Sequence, residues 1–397
     1  MGLVAGARYD AIVVGLGAMG SAALYHLSRR GKRVLGLEAF APGHQLGSSH
    51  GESRVIRMAY YEHPDYVPLL RRAYELWSEL ERDSGEDLLT LTGGLMIGAS
   101  DSELVTGSLA SARLHGLEHQ VLSAEEVQQR HPALHLSPTE VAVWEPRAGF
   151  LRPERCIATF IRLAQAAGAD ARYAEPIRTW RAADTGVEVR TDSGRYAADQ
   201  VVFACGARMS SVLGDAIPPI TAERIPLFWM QPTEPAMFAP PNLPIYLWEI
   251  GQGEHFYGFP HIEWAGVKVA RHHSGEFCDP DTVERVVTAG DERKLRSAIA
   301  ERLPALNGAV LSSLVCLYEN SPDGHFLIDR LPACPNVIYA GGFSGHGFKF
   351  ASVVGEILAD LVTVGRATSD ADFLRADRPG TRPGAPPASA GFSRPSP

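Results

Sequence analysis

Apolar and polar positions along the chain fall into two periodicities that alternate in blocks. Tyr9-Asp-Ala-Ile-Val-Val is an apolar run short enough to be a buried strand. After Gly15-Leu-Gly17-Ala-Met-Gly20, the residues Ala22, Ala23, Leu24 and Leu27 fall at helical spacing, and Gly31 stops that helix. A second strand, Val34 to Leu37, ends at Glu38. From His63 to Ser84, Tyr66, Leu69, Leu70, Ala73, Leu76, Trp77 and Leu80 form one helical stripe. Leu88 to Gly98 and Glu140 to Leu151 read as short strands broken by glycine and proline. Pro153 to Gly168 is a helix opened by proline and closed by glycine.

The second half is richer in strands. Short ones are predicted at Ala171 to Tyr173, Ile177 to Trp180, Val187 to Arg190 and Gly194 to Ala197. Gln200-Val-Val-Phe-Ala-Cys-Gly206 fits a buried parallel strand returning to the first sheet. Residues 216 to 324 again read as strand-rich, at Leu227 to Met230, Ile245 to Trp248, His255 to Gly258 and Val267 to Ala270. A last βα unit is formed by Asn336 to Ala340 and Phe350 to Val364. The residues from Asp377 to Pro397, rich in Pro, Gly, Ser and Ala, read as a disordered tail.

The opening block carries chemistry. A strand, a GxGxxG turn and a helix let the backbone approach a pyrophosphate and aim N–H groups at it. Glu38, about 20 residues past the glycines, stands where an acid would hold a ribose hydroxyl. The alternative is a helix start whose glycines only allow close packing. The fingerprint, Gly15, Gly17, Gly20 and Glu38, does not choose between FAD and NAD.

Composition narrows the classes. At 397 residues, 45% hydrophobic and 21% charged, the chain has the length for two cores. Its net charge of −9 argues against nucleic acid or an anionic membrane as partner. No apolar run reaches a membrane span and no secretory signal is legible, so a cytoplasmic protein is expected. The five cysteines lack the spacing of a disulfide framework or zinc site, and no metal is expected. Positive charge is nearly all arginine, which draws attention to Lys268 and Lys349.

Several less common motifs occur in a fixed order: Gly47-Ser-Ser-His50-Gly-Glu-Ser-Arg54-Val-Ile-Arg57, Tyr257-Gly-Phe-Pro260, Gly266-Val-Lys268, Cys316-Leu-Tyr318 and Gly342-Phe-Ser-Gly-His-Gly-Phe-Lys-Phe350. In these, from about Tyr9 to Val364, the chain resembles the monomeric sarcosine oxidase and N-methyl-amino-acid oxidase group, flavoenzymes of the D-amino-acid oxidase type. The resemblance implies FAD, an α/β Rossmann-like FAD-binding domain interleaved with a strand-rich α+β substrate domain, and a monomer. The expected FAD-binding domain comprises residues 5–85, 150–215 and 325–365, and the substrate domain 86–149 and 216–324.

The resemblance also assigns roles. Arg57 and Lys349 would clamp a substrate carboxylate, a guanidinium fork beside a point charge; the alternative for Arg57 is a structural ion pair. His50 and Arg54 would lie beside the flavin, and Tyr257 and Tyr318 would wall the pocket. His272 fits an active-site histidine, with His273 one residue away as the rival. Lys268 would serve oxygen, its ammonium stabilising superoxide. Gly345 and Gly347 would border the cofactor. Cys316, by itself an ordinary buried thiol, would bind the flavin covalently as a thioether to the 8α-methyl. The implied activity is oxidation of a secondary amino acid, sarcosine first, with hydrogen peroxide as co-product. N-methyltryptophan, pipecolate or proline and sugar-modified amino acids are alternative substrates. A flavin dehydrogenase using another acceptor, an NAD enzyme and a non-catalytic flavin-binding protein are alternative functions.

Overall fold

A computed structural model describes residues 8–183, 185–251, 253–263 and 265–381. Its first sheet contains eight of the described strands, in the order Ile177–Ala183, Gly186–Thr191, Arg195–Phe203, Tyr9–Val14, Val34–Leu37 and Asp170–Arg172; Cys334–Gly341 pairs with Arg195–Phe203, and Leu327–Leu331 pairs with Cys334–Gly341. Tyr9–Val14 is parallel to both of its neighbours, Val34–Leu37 and Arg195–Phe203. Both faces of this strand are covered. Ala11 and Val13 pack into one core, whereas Tyr9, Ile12 and Val14 pack into another. That is why the strand reads as a continuous apolar run without alternation.

Helices Ala18–Arg29, Pro153–Ala166 and Ala351–Thr363 contribute to the first of these cores. The first and last are in backbone-close contact, because a Cβ on Gly355 would lie 2.5 Å from that of Ala22. The glycine turn is equally tight. Gly15 has φ +88°, and a side chain there would meet Ala204 O at 2.4 Å; a Cβ on Gly20 would fall 1.8 Å from Gly15 O. Only glycine fits either position.

The second sheet contains nine of the described strands. Eight follow the order Phe277–Cys278, Thr221–Met230, Val267–His272, His255–Gly258, Ile245–Glu249, Gly94–Ala99, Glu140–Glu145 and Gln120–Ser123, and Val310–Asn320 pairs with Thr221–Met230. A small third sheet joins Arg54–Ile56, Gly149–Leu151 and Leu89–Leu91. The segment carrying His50, Arg54 and Arg57 thus runs along this third sheet.

Some elements differ from the sequence reading. Gly194–Ala197 and Gln200–Gly206 are parts of one strand, Arg195–Phe203, whose first half pairs antiparallel with Gly186–Thr191 and whose second half pairs parallel with Cys334–Gly341. Helices Glu103–Leu114 and Ala124–Arg130 lie in a stretch for which no element was predicted, and Ala289–Ile299 lies in the stretch read as strand-rich. The last is mostly charged and polar, buries only Leu295, Ala298 and Ile299, and starts at a Thr288/Asp291 capping box. Of the segment read as a tail, residues 382–397 lie outside the described residues. Residues 377–381 are held: Arg378 pairs with Asp323 at 2.7 Å, and Thr381 is buried.

Candidate active site

The glycine turn opens onto a cavity of about 760 Å³ lined by Gly15, Gly17, Glu38, Ser48, Arg54, Tyr318, Glu319, Gly345 and Gly347, among others. Two sequence-distant blocks therefore face one space. Helix Ala18–Arg29 begins at Gly17, which offers no side chain as a cap; Ala18 N donates to Ser49 Oγ at 3.2 Å, and this N-terminal end borders the cavity where an anion would sit. Glu38 accepts hydrogen bonds from Leu16 N (2.8 Å) and Phe40 N (3.1 Å) and lies 3.4 Å from His44. Burial pushes its carboxyl up, but His44 and the Leu16 N–H outweigh this and hold it below the usual carboxylate range.

The chain's residues fit FAD in this cavity. Ser48 Oγ and Glu319 Oε2, on residues that border it, are buried without a hydrogen-bond partner among the described residues. Buried polar atoms normally have partners, so these are atoms a polar ligand would satisfy. His50 Nδ1 is a third such atom; its Nε2 contacts Gly47 O at 3.1 Å. Burial, then Arg54, pushes the His50 imidazole down to about 3, so it is neutral near pH 7.

Beside the cavity, Arg54 donates to Ser53 O (2.8 Å), Ser48 O (3.0 Å) and Cys316 Sγ (3.2 Å). Cys316 sits in strand Val310–Asn320 opposite Ile225 and is 1% exposed. Lys268 is fully buried. Its Nζ donates to Gly51 O, Ser53 O (2.9 Å) and Ser53 Oγ (3.1 Å) and lies 5.0 Å from the Phe259 ring centre and 5.4 Å from that of Trp229. Burial, then Arg54, lowers its pKa well below the lysine range.

Arg57 and Lys349 converge on Tyr60, with Arg57 Cζ 4.5 Å and Lys349 Nζ 5.1 Å from its ring centre. Burial and Arg57 push the Lys349 ammonium down to about 7, while Glu62 opposes this. Arg57 Nη2 donates to both carboxylate oxygens of Glu62 at 2.7 Å, and Nη1 donates to Ala59 O at 2.9 Å. Thus the arginine read as a substrate clamp is in a buried ion pair with the chain's own Glu62. Nearby, His346 Nδ1 bonds Tyr60 OH, and Lys349 donates to His346 O at 2.5 Å.

The two adjacent histidines part. His272 Nδ1 lies 3.1 Å from Tyr318 OH, with Tyr257 at 6.2 Å between ring centres. His273 instead bonds Glu223 Oε2 at 2.8 Å. His272 is the one between the two tyrosines. Its pKa is well below the usual histidine value through burial and the neighbouring His273.

Glu62, His346, Ser53 and Glu319 were not legible as site residues. Glu62 lies five positions past Arg57 in a segment without periodicity, and Ser53 matters only through its backbone and hydroxyl acceptors for Lys268. His346 lay inside a motif already read for its glycines and lysine.

The sequence pattern of the DAO family, FAD dependent oxidoreductases, matches residues 10–361. The chain belongs to this family. It is 47% identical over 361 residues to a monomeric sarcosine oxidase of Streptomyces avermitilis, covering 90% of this chain and 94% of that one. An N-methyl-L-tryptophan oxidase of Escherichia coli K12 is 34% identical over 382 residues, covering 94% and 99%. These similarities place it among the sarcosine oxidase-like FAD amine oxidases. The open form of NikD, an amino acid oxidase of nikkomycin biosynthesis, superposes with a TM-score of 0.82 at 24% identity over 94% of this chain and 98% of that one. L-proline dehydrogenase from P. horikoshii does so at 0.81 and 23%, over 93% and 97%. Both share the FAD-oxidoreductase fold.

Proposed function

We propose that this FAD-dependent oxidoreductase is an oxidase of secondary amino acids bearing an N-methyl group, with sarcosine as its first substrate. The observation that carries this reading is the convergence of Arg57 and Lys349 on Tyr60, with a carboxylate, that of Glu62, already seated on the arginine. A site that holds one carboxylate has the charge and geometry to hold a substrate's.

Bound FAD supplies the hydride acceptor and later returns the electrons to oxygen. The chain's own residues do the rest. Arg57 and Lys349 orient the substrate by its carboxylate, so that the N-methyl carbon lies in one place. His272, Tyr257 and Tyr318 form an aromatic wall with a neutral imidazole against the Tyr318 hydroxyl. The amine loses a hydride from carbon and a proton from nitrogen, giving an imine that water cleaves to formaldehyde and the primary amino acid. Oxygen takes two electrons and two protons and leaves as hydrogen peroxide. Lys268, buried beside Arg54 and Cys316, is assigned to the anion oxygen becomes after its first electron.

Cys316 is assigned as the covalent flavin attachment. Its neighbour Arg54 supports this: Arg54 lines the cofactor cavity and donates to Cys316 Sγ at 3.2 Å, so the thiol lies beside the space the flavin would fill. Among the described residues the FAD-binding domain is assigned to 8–85, 150–215 and 325–365, and the substrate domain to 86–149 and 216–324; residues 5–7 of the expected range lie outside the described residues. We assign the enzyme as a cytoplasmic monomer. Among the described residues no helix is long and apolar enough to cross a membrane.

The test is peroxide formation with sarcosine, N-methyltryptophan, pipecolate, proline and a simple N-methylamine. Peroxide from the carboxylate-bearing secondary amines, sarcosine foremost, supports the reading. Equal turnover of the amine lacking a carboxylate would end it.

A further inference from the structure

Glu319 is the most conspicuous buried acid that the proposed chemistry does not use. It is 7% exposed and borders the cofactor cavity, and its Oε2 has no hydrogen-bond partner among the described residues. An acid in such surroundings either neutralises itself or meets a ligand.

Its place in the fold defines which part of the cofactor it faces. Glu319 lies three residues beyond Cys316 on strand Val310–Asn320. At a strand rise of about 3.3 Å per residue, that is about 10 Å along the strand. A Cβ on Gly206 would sit 3.7 Å from Glu319 Oε2, and Gly206 follows Ala204, whose carbonyl abuts Gly15 of the glycine turn. Three residues apart on one strand, Cys316 and Glu319 point to opposite faces, and Glu319 reaches toward Gly206 and Ala204, beside the turn that takes the pyrophosphate. The part of a dinucleotide next to that turn is the diphosphate and the ribityl chain leading from it, a run of hydroxyl and anionic oxygens.

We propose that Glu319 is a ligand of the ribityl–diphosphate linker of FAD, donating a hydrogen bond from its protonated carboxyl. Burial independently favours this protonation state, pushing the carboxyl up to about 8. A neutral acid donates to an anionic or hydroxyl oxygen, whereas an ionised one would repel the diphosphate. Ionisation above pH 8 should thus loosen the linker.

The inference rests on FAD occupying this cavity, which the yellow colour of the parent protein checks separately. The experiment compares parent, Glu319→Gln and Glu319→Ala holoenzymes by flavin content, by thermal unfolding with and without flavin, and by ³¹P NMR of the bound diphosphate. Glutamine keeps a donor, so E319Q should incorporate flavin as the parent does. E319A should incorporate about tenfold less, the scale of one lost hydrogen bond to a charged group, and should melt earlier only when flavin is bound. The parent's ³¹P resonances should move with pH, with a midpoint at or above 8, and those of E319Q should not. E319A with parent flavin content and parent resonances would overturn the proposal. So would an equal loss of melting temperature with and without flavin, which would make Glu319 a packing residue. Should E319A not fold, identical pH-independent ³¹P spectra for parent and E319Q would overturn it.

Discussion

Glu62 gives the clamp assignment its sharpest test. A substrate carboxylate can reach Arg57 only by displacing the Glu62 oxygens, both 2.7 Å from Arg57 Nη2. Glu62→Gln keeps the shape and a carbonyl acceptor but removes the competing charge. Hydrogen bonds to charged groups contribute about 1.5–3 kcal/mol, and about 1.4 kcal/mol is tenfold in affinity. Methoxyacetate, an ether that mimics sarcosine without being oxidisable at nitrogen, should therefore bind E62Q about 10- to 100-fold more tightly than it binds the parent. A second consequence concerns stability. Arg57 is 2% exposed, and a buried charge stripped of its partner typically costs about 3–5 kcal/mol. E62Q should melt earlier than the parent, and saturating methoxyacetate should restore most of that loss. Binding is followed by perturbation of flavin absorbance at pH 6, on the acidic side of the Lys349 transition at about 7. Weaker methoxyacetate binding by E62Q would refute the displacement argument and make Glu62 the residue that holds Arg57 in place.

Other expectations are narrower. Lys349→Ala should weaken methoxyacetate about 10- to 100-fold, read by the same absorbance titration. In the parent, affinity should be flat below about pH 7 and fall above it, because burial lowers the Lys349 pKa to about 7 and an anion prefers the protonated form; K349A should lack that bend. Lys268→Met should slow reoxidation of reduced flavin by oxygen about 10²- to 10³-fold and flavin reduction by substrate much less, measured by stopped flow; equal losses would make Lys268 structural. Cys316→Ala should give a colourless acid precipitate where the parent's is yellow, and a yellow precipitate from the variant would place the attachment elsewhere.

Elements with strong local signals were legible from the sequence. His255–Gly258 has the expected bounds, and helix Tyr66–Ser84 begins three residues inside its predicted range, with its whole apolar stripe buried. Such long amphipathic patterns leave one solution. Helix Ala289–Ile299 was missed because it carries few apolar residues and owes its start to the cap at Thr288; Glu103–Leu114, also started by a cap, at Ser102, has its apolar residues interrupted by Thr106, Gly107 and Ser108. The merging of two predicted strands into Arg195–Phe203 depends on the adjacent hairpin strand Gly186–Thr191 and on two partners far away in sequence, Tyr9–Val14 and Cys334–Gly341, which no window can see.

The site shows the same division. Gly15 could be singled out by the spacing of the glycine turn, and Arg54, Cys316 and Lys268 because they stand in motifs that resemble those of a known family. Their partners could not. Nothing in Arg57-Met-Ala-Tyr-Tyr-Glu62 says that the acid turns back onto the arginine, and nothing in Cys316-Leu-Tyr-Glu319 says that the last residue lacks a partner. Choosing between His272 and His273 likewise required the fold, since one faces Tyr318 and the other bonds Glu223.

The most direct test of the central claim is the absorption spectrum of the purified holoenzyme mixed with sarcosine in the absence of air, followed by admission of oxygen. The flavin band should bleach within the mixing and turnover time, then return with one hydrogen peroxide formed per flavin reoxidised. A flavin band that sarcosine and every other secondary amino acid of the panel leave unchanged would contradict the assignment as an amino-acid oxidase.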